Sequence, residues 1–127
     1  MGTHTEKKRV LDDRGRLVEE ADYSNGVLHG VRTLWSDKGV RVGEAQYKNG
    51  KLHGRSRLWN EESELTLDAT YEDGELHGSY RSWWDNGKPK EEGRFKHGAR
   101  VGVYRWFAED GTEKAQHQYS DETDEKL

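Results

Sequence analysis

The stretch YKNGKLHGRSRLW at residues 47–59 returns 24 positions later as YEDGELHGSYRSW at residues 71–83. Looser copies stand at 23–35 (YSNGVLHGVRTLW) and 95–107 (FKHGARVGVYRWF). Tyr23, Tyr47, Tyr71, Phe95 and Tyr119 thus recur without an insertion, and turn signals follow the first four at Asn25-Gly26, Asn49-Gly50, Asp73-Gly74 and His97-Gly98. A second glycine comes at Gly30, Gly54, Gly78 and Gly102, then a large ring at Trp35, Trp59, Trp83 and Phe107. A fixed period of this length means one supersecondary unit copied four times. Stacked copies present an extended surface rather than a closed pocket, which favours binding over catalysis.

Within a unit the pattern reads as a β-hairpin. Leu52 to Trp59 forms one strand, Asn60 to Ser63 a turn, and Glu64 to Tyr71 the return strand. Asn-Gly and Asp-Gly are strong hairpin signals because both turn residues tolerate positive φ. Pairing Trp59 with Glu64 sets Leu58 opposite Leu65, Gly54 opposite Ala69 and Leu52 opposite Tyr71 on the core face, with tyrosine rings covering the glycines. His53, Arg55, Arg57 and Trp59 then oppose Thr66, Asp68 and Thr70 on the other face. Gly15 and Ala21 lie one period before Gly39 and Ala45, so half a repeat precedes four repeats that start at Tyr23, Tyr47, Tyr71 and Phe95. The expected fold is all-β: a single-layer twisted antiparallel β-meander over residues 1–119, of nine or ten strands, with residues 120–127 as an acidic tail. Lys7, Lys8 and Arg9 at one end, and the charged tail at the other, read as protection of unpaired sheet edges.

Of the 127 residues, 30% are hydrophobic and 36% charged, a balance that alone would point to disorder. Five Trp, six Tyr and two Phe at repeating positions supply the burial that counters it, and a thin sheet with a modest core fits both facts. Cysteine is absent, which removes disulfides and thiolate zinc sites. No apolar run reaches the length of a membrane span and the first 20 residues lack a signal core, so a soluble cytoplasmic protein is expected.

The net charge is −4. From Asn60 to Gly78 there are seven acids and no Lys or Arg. Such a surface repels nucleic acid and anionic lipid and attracts a basic protein. Arg57, Arg81 and Arg105 form a column two residues before Trp59, Trp83 and Phe107, where guanidinium–ring stacking and pairing with Asp68 or Glu92 account for them; Arg beside Trp is also the composition of interface hot spots. His29, His53 and His77 form another column. Equivalent residues lie two strands apart, about 9.6 Å, too far for neighbours to share one ion. They read as turn-flanking imidazoles bonded to backbone, and no metal or cofactor is expected. No nucleophile elbow, phosphate loop or His-Glu-x-x-His motif is present, so the chain reads as a non-enzyme.

The unit Tyr-x-Asn-Gly-x-Leu-His-Gly-x-x-x-x-Trp resembles MORN-type repeats, and most closely the bacterial variant of YwqK-type antitoxin and immunity proteins. The resemblance covers about residues 9–119 and is best at Tyr23–Trp35, Tyr47–Trp59 and Tyr71–Trp83; in Phe95–Phe107, His97 and Val101 replace the usual residues. It implies the single-layer meander, and a protein that neutralises a toxin by binding it in a one-to-one complex rather than as a homo-oligomer. The closely spaced Gly-x-Gly pairs of the eukaryotic pattern are missing, as is a basic patch, which weighs against lipid binding. A scaffold or protein-interaction module is the alternative. Carbohydrate or choline binding is a third reading, disfavoured by the single Trp per repeat. For a toxin with a basic cleft, the expected contact residues are Trp59, Glu61, Glu62, Glu64, Asp68, Glu72, Asp73, Glu75 and Trp83, with Arg57 and Arg81.

Overall fold

The structure is a computed structural model that describes residues 2–120. The acidic tail beyond Ser120 lies outside the described residues. Ten strands follow one another: β1 (Thr5–Leu11), β2 (Leu17–Ser24), β3 (Val27–Trp35), β4 (Arg41–Lys48), β5 (Lys51–Trp59), β6 (Leu65–Glu72), β7 (Glu75–Trp83), β8 (Pro89–Lys96), β9 (Ala99–Phe107) and β10 (Glu113–Tyr119). They form one open sheet in sequence order, every neighbouring pair antiparallel. The described residues contain no helix, as the hairpin period requires. Far-UV circular dichroism is accordingly expected to show β-structure with no helical minimum; substantial helix would contradict the meander.

Two kinds of connection alternate, and each follows from its residues. At one end the strands reverse through Asn25-Gly26, Asn49-Gly50, Asp73-Gly74 and His97-Gly98. The first residue of each has φ near +49° and the glycine near +85°, the two left-handed positions of a tight hairpin turn. Each later turn is tied to the one before: the Gly50, Gly74 and Gly98 amides donate to the carbonyls of Leu28, Leu52 and Leu76 at 2.8 Å. At the other end the connections are five-residue loops, 12–16, 36–40, 60–64, 84–88 and 108–112, each closed by an amide-to-carbonyl bond between its first and fifth residues of 2.8–2.9 Å.

That loop corrects the expected register. The Asn60 amide donates to the Glu64 carbonyl, and the Asn60 side-chain oxygen accepts the Glu62 and Glu64 amides, so Glu64 belongs to the loop and β6 begins at Leu65. Trp59 pairs with Leu65; beyond a bulge, Leu58 pairs with Leu67, Ser56 with Ala69 and Gly54 with Tyr71. Beyond the bulge the shift is two residues, so the side chains paired there keep the face the alternation assigns them.

The glycines after the tight turns mark a second irregularity. Tyr47 pairs with Leu52, but Ala45 pairs with Ser56, so β5 carries two extra residues around Gly54. Gly54 takes φ +109° there, and the Gln46 side-chain oxygen accepts the Arg55 amide at 2.9 Å in place of a ladder bond. The space beside Gly54 is thus filled by Gln46, and that beside Gly78 by Thr70, rather than by the tyrosine rings the sequence suggests. Gly54→Val is expected to lower stability by about 2–3 kcal/mol, from the left-handed backbone and the collision with Gln46. An unchanged melting temperature would contradict this geometry.

Burial is uneven. Ala21 in β2 and Ala69 in β6 are buried, but the large buried side chains, Phe95, Val101 and Tyr104, all lie in β8 and β9.

Candidate protein-binding surfaces

One sheet face is a ladder of paired charges. Lys7 bridges Asp22, Arg9 bridges Glu20, Arg57 bridges Glu44, Arg55 bridges Asp68 at 2.7 Å, and Arg105 bridges Glu92 and Glu113 at 3.3–3.4 Å. Alternation sends these residues to one side, and antiparallel pairing sets opposite charges across from each other. The expected stacking is present: the Arg57 guanidinium lies 5.3 Å from the Trp59 ring centre and that of Arg81 lies 5.4 Å from Trp83, while Arg41 covers Trp59 at 4.3 Å. Asp68 is held by Arg55, and Arg57 turns to Glu44 instead of Asp68.

The five-residue loops stack along one edge. The Arg16 guanidinium donates to the Asp37 carbonyl at 2.9 Å, the Ser36 hydroxyl to the Glu61 carboxylate at 3.0 Å, and the Asn86 side chain to the Glu109 carbonyl at 2.7 Å, each linking adjacent loops. These loops hold nine acids (Asp12, Asp13, Asp37, Glu61, Glu62, Glu64, Asp85, Glu109, Asp110) against four bases (Arg14, Arg16, Lys38, Lys88). The described residues outside these loops carry more bases than acids, so the negative charge of the described sheet is concentrated on this edge. The Arg16 amide holds the Asp12 carboxyl below the usual carboxylate range, and the Thr112 hydroxyl does the same for Asp110, keeping both ionised. Glu61, Glu62 and Glu64 pair with no cation among the described residues.

The expected contact residues therefore do not form one patch. Trp59, Glu61, Glu62, Glu64 and Trp83 gather at the loop edge. Asp68, Arg57 and Arg81 lie within strands on the charged face. Glu72, Asp73 and Glu75 sit at the tight-turn end, separated from the loop by the length of β6, about 23 Å at the usual rise per residue. Lys48, Lys51 and Lys96 flank the turns at that end, where Asp73 lies 3.6 Å from His53 Nδ1 and Glu75 lies 3.7 Å from His97 Nδ1. At that end His29, His53 and His77 behave as expected of turn-flanking imidazoles: their Nδ1 atoms accept the amides of Asn49, Asp73 and His97 at 3.0–3.3 Å.

A cluster on the opposite face escapes the repeat-based reading. Tyr104 is fully buried, with its ring centre 4.9 Å from Trp106, 5.7 Å from Phe95, and 6.4–6.5 Å from Tyr80 and Tyr119. Arg100 lies over Tyr104 at 4.6 Å and reaches Phe95 and Trp106. The signal was present as departure from the repeat: Tyr104 stands where the first two copies have Arg32 and Ser56 and only the third has a ring, Tyr80, while Trp106 stands where they have Leu34, Leu58 and Ser82, and Arg100 where they have leucine. Burial, reinforced by the hydroxyl's 2.8 Å bond to the Glu91 carboxylate, pushes the Tyr104 phenol well above its ordinary value of 10.0. A group raised on folding stabilises fully below its unfolded pKa and loses that contribution as pH rises through the folded value. Stability should thus fall above about pH 10, more steeply than in Tyr104→Phe; parallel alkaline denaturation curves would refute this.

Residues 76–97, which comprise most of β7, the loop after it, β8 and the first residue of the next turn, match the family model of the MORN repeat variant. The chain carries a MORN-type repeat. No curated protein and no solved structure matched it. The other hairpins share the MORN-type unit's period, tight turns and turn-to-turn hydrogen bonds, so the sheet is a stack of like units. No helix among the described residues is long and apolar enough to cross a membrane.

Proposed function

We propose that this protein is an immunity protein that neutralises a polypeptide toxin by laying its acidic loop edge over the toxin's cationic active or substrate-binding cleft. The observation that carries this reading is the contrast between paired and unpaired charge. Glu44, Asp68 and Glu92 along the strands are paired with arginines, whereas Glu61, Glu62 and Glu64 at the loop edge have no cation partner among the described residues and set the external field there. A field of one sign steers a basic partner and speeds encounter, and the adjacent Trp59, stacked on Arg41 and Arg57, supplies a rigid anchor for slow release. The likeness of the repeat to those of bacterial antitoxin proteins supports a toxin as the partner. The protein contributes no chemistry; occlusion suffices, in a one-to-one complex in the cytoplasm that involves neither nucleic acid nor membrane insertion.

The test is co-expression with the toxin encoded beside its gene, followed by size-exclusion chromatography of the purified pair. Protection together with a stable complex is the expected result. Failure of the wild-type chain to bind or protect would overturn the immunity reading in favour of a scaffold module that uses the same repeats to assemble other proteins.

A further inference from the structure

We propose that Glu72, His77 and His97 form a binding site for a borderline divalent transition metal, with zinc as the representative ion. One ligand atom from each of the three residues lies within 4.8 Å of the other two. The rings of His77 and His97 are 4.6 Å apart, tilted by 46°. Glu75 pairs across the Asp73-Gly74 turn with Glu72 and brings its carboxylate to 3.7 Å from His97 Nδ1, within reach as a fourth ligand. Two imidazoles and two carboxylates form the nitrogen–oxygen set that suits zinc rather than magnesium or calcium.

The geometry differs from the histidine column that the repeat predicts. Successive column members lie too far apart to share an ion, but His97 is no member of that column. It occupies the first turn position, where the other copies have Asn25, Asn49 and Asp73. The sheet brings that turn against His77 just as it brings Asn49 against His29 and Asp73 against His53. Equivalent triplets elsewhere are Ser24, His29, Asn49 and Lys48, His53, Asp73, neither of which offers two imidazoles and an acid. The chemistry arises from departures at a single copy.

Tetrahedral ligand atoms at zinc lie about 3.3 Å apart, so the three must close by roughly 1 Å or more. The exposed side chain of His97 is free to make most of that movement. His77 Nδ1 already accepts the His97 amide at 3.0 Å, which leaves its proton on Nε2. Metal binding exchanges that hydrogen bond for a metal–nitrogen bond, either at Nδ1 directly or at Nε2 once the proton moves. The bound ion would clamp the β6–β7 turn to the β8–β9 turn and stiffen this end of the stack.

The experiment is a calorimetric titration of the full chain with zinc chloride, paired with thermal melts and histidine ring NMR. One zinc per chain, a raised melting temperature, and shifts confined to the rings of His77 and His97 are expected. His97→Asn restores the turn residue of the other copies, so it should fold; it should weaken zinc at least about tenfold. His29→Asn removes an imidazole outside the cluster and should leave affinity unchanged. No binding at millimolar zinc, equal binding by the folded His97→Asn variant, or an equal loss in His29→Asn would each overturn the assignment.

Discussion

Replacing Tyr104 by alanine is expected to lower the melting temperature by about 10–20 °C, the consequence of losing about 3–5 kcal/mol at a fully buried aromatic position. The size follows from what the ring supports. It touches four other rings, carries Arg100 on its face and satisfies Glu91, all in a sheet with few other large buried side chains. Tyr104→Phe keeps the packing but removes the partner of Glu91, and should cost about 1 kcal/mol. Gly93→Val attacks the same contact from the other side, because a Cβ at Gly93 would collide with the Tyr104 ring. A melting temperature within about 3 °C of wild type for Tyr104→Ala would show that this cluster is not the main core.

The second large effect concerns the partner. Reversing charge at Glu61, Glu62 and Glu64 should slow association about tenfold at low salt and flatten its salt dependence, because unpaired edge charges act on encounter. Trp59→Ala should instead speed dissociation about thirtyfold, equivalent to about 2 kcal/mol at a hot spot, and Trp83→Ala should act in the same direction. The same reversal at Glu72, Asp73 and Glu75 should leave association unchanged, because those acids lie at the far end of β6 among turns flanked by lysine. Asp68→Ala should also have little effect on the rate, since Arg55 already cancels its field. Stopped-flow association and dissociation with the purified toxin at two salt concentrations read all five. Full protection and unchanged kinetics in folded variants of the loop triplet and Trp59 would exclude the loop edge as the interface.

What the sequence determined by itself was whatever depends on a few neighbouring residues. Asn-Gly and Asp-Gly prescribe positive φ locally, so the tight turns, the hairpins and their order were legible from the 24-residue period. Alternation is local too, and it assigned Arg57 and Arg81 to one face and placed them over Trp59 and Trp83. The register was not local: whether Glu64 closes a loop or starts a strand depends on how Asn60 distributes its hydrogen bonds. Distances across the sheet were not local either. The extended run of β6 carries Glu64 and Glu72, eight residues apart in sequence, to opposite ends, and strand reversal brings Glu72, His77 and His97 together across three strands and two turns. The core beneath Tyr104 likewise exists only because pairing sets the side-chain-free Gly93 beside a ring eleven residues away. Short-range chemistry decided which strands form and where they turn; only their pairing decided which charges remain unneutralised, which ring is buried and which ligands meet.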